Sequence, residues 1–532
     1  MSQQPAATAS QNAQSCRLLQ IPAEILDRIT WHLTTPELCN LRITCKSVEE
    51  ALDYSFTAEF FTRRQFMFSE FSLRALVDIS KSRLAGHLRH VHFGLDQLGT
   101  NNTPSTRGDQ ARMFAHRVVE QDTLWTLGLV PKYLAEAFGR LPNLESVVVR
   151  DFNSNRRSRD GPHAHWLSYG TQTMYKETSV RPSSYGIFGQ GSMHYGFVNQ
   201  VFKAIVHALG MANARPTTIE VMERQGHPLY DSAFHMHPDF EAAIVPVLRG
   251  LKRLHLTLEA NGSAIGYDDR PYQRRSLTKF LRHCDGLEEL RINGKHNAST
   301  YDIRNSLRNL CDWLAEAEPT PATEAQKEAK SPSLDTQTSD LSLINAPIRF
   351  PRLQNISLGM TSFTVDDLVA LIARFADTLQ HLELWRIKLV SEDRGVDRSQ
   401  VMEDRPILFA QMLKKLLDIP NLDLRHIKLG SMQQIWYPVD GHGHILEEVD
   451  FKPTVKTRDE DVDAGLEYVK GVLEYTGPDW RHFVTYEMIP RLYTPRVKVE
   501  EESQDEYEDV EDEDNDDDDD NDDDNMDQDE ES

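Results

Sequence analysis

The stretch Leu251-Lys252-Arg253-Leu254-His255-Leu256 decides how this chain is read. Its last two leucines are two apart, the spacing of a strand with one buried face. Its first leucine stands three earlier, where a turn would point inward before the strand begins. The same spacing returns as Leu88/Val91/Phe93, Leu144/Val147/Val149, Leu287/Leu290/Ile292, Leu353/Ile356/Leu358, Leu379/Leu382/Leu384 and Leu424/Ile427/Leu429. Pro142, Gly250, Gly286 and Pro351 stand just ahead of a copy, where turn-forming residues are expected.

Helical patterns separate the copies: Phe202–Leu209, Leu277–Cys284, Ile303–Leu314, Val365–Phe375 and Ile407–Leu417. In the fourth, Val365, Leu368, Val369, Leu371, Ile372 and Phe375 recur at helical spacing. Strand, turn, helix, strand is the unit of a leucine-rich-repeat solenoid. The predicted fold class is therefore α/β. The offsets between copies are 56, 107, 36, 66, 26 and 45 residues, and of these the 26 alone fits an ordinary repeat of about 20–29 residues. The 107-residue gap must hide at least one further repeat and a long excursion. An unrelated α/β domain with amphipathic strands is the alternative.

Charge divides the chain more sharply than length does. The net charge is −25, but Glu500–Ser532 holds 23 acidic residues and no Lys or Arg. Without it 58 basic residues face 60 acidic ones, so the body is nearly neutral. The tail, 496–532, repels itself and is expected to be disordered; it serves solubility, or it steers basic proteins to the chain. Val497-Lys498-Val499-Glu500 matches the sumoylation consensus at Lys498. Glu316–Ala346, rich in Glu, Pro, Ser, Thr and Ala, lacks the apolar area to offset its ordering entropy and reads as a disordered insertion in the 63–495 repeat body. Residues 1–16 are polar and read the same way. No apolar run approaches the length of a membrane span, and no secretory signal is visible at the start. Cys16, Cys39, Cys45, Cys284 and Cys311 are odd in number and unpaired in spacing, which suits cytosol or nucleus.

Residues 17–62 form a compact helical block. Ile25, Ile29 and Leu33 fall at i, i+4 and i+8, with Leu26 beside them. Thr34 or Thr35 caps a second helix with Pro36 and Glu37 in its first turn. Leu38, Leu41, Cys45, Val48 and Leu52 make its apolar stripe. Helices this short cannot bury both stripes against each other and stay stable alone. The surplus meets either the rest of the chain, as a solenoid cap, or a partner.

The order Leu19, Ile21-Pro22, Glu24, Ile25-Leu26, Ile29, Leu33, Pro36-Glu37-Leu38, Leu41, Cys45-Lys46 resembles an F-box. The resemblance covers about 40 residues. Ser47 and Val48 depart from the Arg and aromatic residue the family often carries there. An F-box followed by irregular leucine-rich repeats is similar to many fungal F-box proteins. The resemblance implies docking onto the Skp adaptor of a cullin–RING ubiquitin ligase. Its adaptor-facing candidates are Leu19, Ile21, Pro22, Ile25, Leu26, Ile29, Leu33, Leu38 and Leu41, some of which must hold the helices together.

No catalytic constellation is organised in the sequence. His163-Ala164-His165, His235-Met236-His237 and Gly441-His442-Gly443-His444 lack a third ligand at metal-site spacing. Gly186, Gly189, Gly191 and Gly196 do not match a phosphate-binding motif. No cofactor or metal is implied. Between Arg150 and Gln200, aromatic and basic residues interleave, among them Arg156, Arg157, Arg159, Trp166, Tyr169, Tyr175, Lys176, Tyr185, Phe188, Tyr195 and Phe197. Such residues anchor interfaces. Arg156, Arg157, Trp166, Tyr169, Tyr185, Phe188 and Tyr195 are the candidates for binding a target protein, against a plain loop with scattered aromatics. The nearly neutral body gives single-stranded nucleic acid little electrostatic support. The expectation is a non-catalytic substrate receptor of an SCF-type ligase that binds the Skp adaptor, its cullin and a target protein. The alternatives are a repeat scaffold or nuclear acidic chaperone, and an enzyme on the α/β body.

Overall fold

The computed structural model describes residues 21–99, 108–153, 158–161, 167–183, 196–224, 228–259, 275–295, 350–396, 405–438, 445–452 and 471–495. The helix expected over Ile303–Leu314, the insertion Glu316–Ala346, the tail 496–532 and residues 1–16 lie outside them.

Each of the seven copies is a strand. In chain order the strands are β1 (Arg63–Phe66), β2 (His90–Gly94), β3 (Ser146–Arg150), β4 (Thr218–Met222), β5 (Arg253–Glu259), β6 (Glu289–Lys295), β7 (Asn355–Gly359) and β8 (Ser362–Thr364). They continue as β9 (His381–Trp385), β10 (Lys388–Val396), β11 (His426–Gly430), β12 (Met432–Pro438), β13 (Ile445–Phe451), β14 (Val472–Thr476) and β15 (Leu492–Tyr493). Ten form one sheet in the order β1-β2-β3-β4-β5-β6-β7-β9-β11-β14. Spatial order follows chain order, and all pairs are parallel except the last, where β14 runs antiparallel to β11.

The register explains the sequence signature. Val91, Val147, Ile219, Leu254, Leu290, Ile356, Leu382 and Ile427 stand side by side across eight strands. All are buried, as are the turn leucines Leu88, Leu144, Leu251, Leu287, Leu353, Leu379 and Leu424. A fully buried leucine contributes about 1.5–3 kcal/mol, and here each is covered by its equivalents in the adjacent repeats. Helices complete the core on this face: Leu134 and Phe138 from Leu129–Phe138, Phe202 and Leu209 from Phe197–Ala212, Leu248 from Pro238–Arg249, Leu368 and Leu371 from Val365–Arg374, and Met412 and Leu416 from Leu408–Leu417. At Gly286 a Cβ would lie 2.7 Å from the Arg249 carbonyl oxygen, so the turn before β6 needs glycine.

Three strands of the large sheet carry no copy of the signature: β1, β4 and the antiparallel β14. β4 is the repeat hidden in the 107-residue gap; Pro216, which is buried, occupies its turn position in place of leucine. β1 pairs Arg64 with Val91, so a guanidinium takes an inward position, lying over the rings of Phe61 and Tyr169.

A second sheet, in the order β15-β13-β12-β10-β8, was not anticipated. Its strands β8, β10 and β12 directly follow β7, β9 and β11. The chain turns each corner at a non-glycine residue with positive φ: Met360 (52°), Arg386 (52°) and Ser431 (50°). At two corners the amide bonds to the next repeat, Met360 N–H donating to Trp385 O at 2.9 Å and Arg386 N–H to Gly430 O at 3.0 Å. Such a conformation costs roughly 1–2 kcal/mol per residue. It recurs at one place in three repeats, and in two of them the inter-repeat hydrogen bond offsets that cost.

Candidate functional site

The N-terminal block contains four helices, α1 (Ala23–Trp31), α2 (Thr35–Arg42), α3 (Lys46–Ala51) and α4 (Asp53–Phe61). Thr34 caps α2 as expected. Its N–H donates to Glu37 Oε2 at 2.8 Å, and Glu37 N–H donates back to Thr34 Oγ1. The Thr34 N–H first, and then the Thr34 hydroxyl, which also donates to Glu37 Oε2 at 2.9 Å, hold the Glu37 carboxyl below its ordinary range. The single long second helix expected over Leu38–Leu52 is instead broken. Thr44 turns its hydroxyl onto Leu41 O at 2.7 Å, Cys45 is extended, and α3 starts afresh. The β-branched pair Ile43-Thr44 favours that stop.

The block has its own core of Leu26, Leu38, Val48, Leu52 and Phe60, with Leu33, Leu41, Phe56 and Phe61 packed against it. Val48, at the position where the F-box family often has other residues, is fully part of it. The adaptor candidates thus divide. Leu26 and Leu38 are buried and Leu33 and Leu41 half-buried, so they hold the block together. Ile21 is half-buried and Pro22 exposed; Leu19 lies outside the described residues. Ile25 and Ile29, one helical turn apart, are 45% and 41% exposed, while Trp31 reaches 69% and Ile43 80%. A complete core coexists with large apolar side chains left in water.

The block does not hang loosely. Arg159, only 6% exposed, donates from Nε to Glu59 Oε1 at 2.7 Å and from its Nη1 to the carbonyl oxygens of Thr30 and Leu33 at 2.7 and 2.9 Å. Asp160 accepts the Thr35 N–H at 2.7 Å and the Thr35 hydroxyl at 2.6 Å. Arg83 bridges Asp53 at 2.6 Å and Glu49 at 3.2 Å. Arg159 belongs to the aromatic and basic excursion, whose described part therefore braces the first helices. Tyr169, the target-binding candidate within the described residues, stacks on Phe71 with centroids 5.3 Å apart and pairs as a bridge with Phe66. Arg156, Arg157, Trp166, Tyr185, Phe188 and Tyr195 lie outside the described residues, as does Lys498.

The face of the large sheet opposite the helices is polar. Its first row reads Arg63, His90, Ser146, Thr218, Arg253, Glu289, Asn355, His381, His426; its second reads Gln65, His92, Val148, Glu220, His255, Arg291, Ser357, Glu383, Lys428. A depression of about 510 Å³ lies over β1–β7. Glu289 accepts from Arg253 Nε at 2.7 Å and lies 2.6 Å from His255 Nε2. The His255 hydrogen bond, then that of Arg253, pulls the Glu289 carboxyl down to about 2. His90 Nδ1 lies 2.8 Å from Ser146 Oγ. Among the described residues no carboxylate bonds to the other ring nitrogen of His90, so the pair lacks the third member of a nucleophilic triad. The buried Glu223 carboxyl has no hydrogen-bond partner among the described residues; burial and then Asp151 push its pKa up. No group of three metal-ligating side chains occurs among the described residues. His237 instead caps the helix Pro238–Arg249 by accepting the Asp239 N–H; the other two histidine pairs, 163/165 and 442/444, lie outside the described residues. Among the described helices none is long and apolar enough to cross a membrane. The open face is suited to binding by hydrogen bonds and ion pairs.

No family model matches the chain, and no curated protein does. Among solved structures it is similar to the leucine-rich repeat-containing protein LegL7 of Legionella pneumophila, at 12% identity over 72% of this chain and 92% of that one, with a TM-score of 0.21. It is also similar to a Rad7 and Elc1 complex from yeast, at 11% identity over 78% and 93% of the two chains, with a TM-score of 0.21. The repeat assignment rests on the strand register, in which successive leucine-bearing strands pair in parallel.

Proposed function

We propose that this chain is a substrate receptor of an SCF-type ubiquitin ligase. The N-terminal helices dock the Skp adaptor, and through it the cullin, while the open face of the sheet holds a target protein. The chain contributes proximity, and catalysis belongs to other subunits. The observation that carries this reading is the division within the first helices. Leu26, Leu38, Val48, Leu52 and Phe60 satisfy the block internally, yet Ile25, Ile29, Trp31 and Ile43 stay exposed. Ile25 and Ile29 stand one helical turn apart on α1, and exposed apolar groups that adjoin one another mark contact surfaces. The resemblance of Leu19–Lys46 to an F-box gives the contact its partner.

Co-purification tests it. The full chain co-expressed with the Skp adaptor is expected to retain it, and the double variant Ile25→Asp, Ile29→Asp is expected to lose it while melting like the wild type. Leu38 is unsuitable for this test because it is buried in the block core. A wild-type chain that never retains the adaptor contradicts the proposal.

A further inference from the structure

Met360, Arg386 and Ser431, the three left-handed corner residues, all line one pocket of about 540 Å³. Gly294 and Lys295 bring the end of β6 to it. Along β6 the half-buried Glu289, Arg291, Asn293 and Lys295 alternate with residues of the core face, so the pocket lies on the open face of the large sheet. Backbone held in a sparsely populated region gathers at binding sites, and here three such residues meet at one place. Lys388 on β10 and Gln433 on β12 stand side by side in register and complete the lining from the second sheet.

The lining holds three cations, Lys295, Arg386 and Lys388, against one carboxylate, Glu448. Lys295 is engaged elsewhere, its Nζ donating to Arg224 O at 3.3 Å. Arg386 is exposed and Lys388 half-buried, and among the described residues neither makes an ion pair or a side-chain hydrogen bond. The same holds for the side chains of Ser431, Gln433 and Glu448. Asp450, two residues beyond Glu448 on β13, accepts the Phe451 N–H at 2.7 Å and is not among the lining residues. The charge buried on the other face of the second sheet is balanced within itself: Glu447 meets Arg405 at 2.7 Å and accepts from Gln434 and Trp436 at 2.8 and 3.0 Å. We infer that the pocket takes a phosphate monoester, carried as a phosphorylated side chain by a protein lying on the open face. This rests on the open face being the target-binding surface. Arg386 and Lys388 supply charge-assisted hydrogen bonds, and the Gln433 amide and Ser431 hydroxyl supply neutral ones. A phosphate monoester brings three acceptor oxygens and a charge of about −1.5 to −2, which matches both cations. A carboxylate matches one.

The test uses the purified full chain without adaptor and three pools of labelled peptides about twelve residues long, with a fixed central phosphoserine, glutamate or serine. Fluorescence anisotropy is expected to show the phosphoserine pool binding about tenfold tighter than either other pool. Arg386→Gln, an exposed change, is expected to lower that preference to about threefold, and Lys388→Gln added to it to remove the rest. Glu448→Gln, which takes away a like charge, is expected to tighten the phosphoserine pool about threefold. No binding, equal binding of all pools, a glutamate pool level with phosphoserine, or a folded Arg386→Gln chain that keeps the full preference overturns the inference. Inorganic phosphate is titrated as a competitor; if it binds as tightly as the phosphoserine pool, the ligand is a free ion and the assignment to a target protein is overturned. Adaptor retention is read separately: a phosphate preference without adaptor binding keeps the pocket and removes the ligase reading, and the reverse result does the opposite.

Discussion

One guanidinium, that of Arg159, meets a carboxylate and two carbonyl oxygens of the first helices. Arg159→Ala strands those acceptors and is expected to raise hydrogen exchange across 23–61 while leaving β5–β11 protected, at a cost of about 1–3 kcal/mol to the block. Unchanged exchange in 23–61 would show that Arg83 and Asp160 suffice. Glu289 offers a second test. Its folded pKa of about 2 lies below the ordinary 4.5, so its contribution is present above pH 4.5 and lost as the pH falls towards 2. Glu289 is only 24% exposed, and Glu289→Gln is expected to shrink the stability lost between pH 5 and 3 by on the order of 1 kcal/mol. Urea unfolding at several pH values measures it; identical losses in both chains contradict the assignment.

At the scale of elements, what could be read from the sequence was what one period specifies. Every Leu-x-x-Leu-x-Leu copy became a strand because its inward residues must be covered by those of its neighbours. Leu382→Ala is accordingly expected to cost about 2–5 kcal/mol, measured by chemical denaturation; a cost below about 1 kcal/mol would deny it a core position. β1 and β4 were illegible because Arg64 and Pro216 hold positions where the pattern asks for aliphatic residues. The second sheet was illegible too, since Met360, Arg386 and Ser431 carry no glycine to announce a left-handed corner. The break between α2 and α3 went unseen because the apolar stripe continues across it. In the candidate site, the periodicity of α1 and α2 located the block but could not say which residues face its own core. Leu26 and Leu38 differ from Ile25 and Ile29 only through packing with Val48, Leu52 and Phe60, farther along the chain. The role of Arg159 depends on a contact with Thr30 and Leu33 that no local pattern encodes.

Across the molecule, the chain is a stack of repeats closed at both ends. At one end β14 reverses direction against β11, and Arg481 donates to the carbonyl oxygens of Ile419 and Leu422 at 3.0 and 3.1 Å. At the other, Tyr169 adds a bridge to the edge of β1, its N–H donating to Gln65 O at 2.9 Å. The exposed apolar groups stay outside these closures, on a block held rigidly enough to present them. Hydrogen exchange of the full chain with and without purified Skp adaptor tests that claim most directly. The account predicts adaptor-dependent protection over Ile21–Ile43 with the strands of the large sheet unchanged. Protection confined to the sheet, or no change anywhere at saturating adaptor, would contradict it.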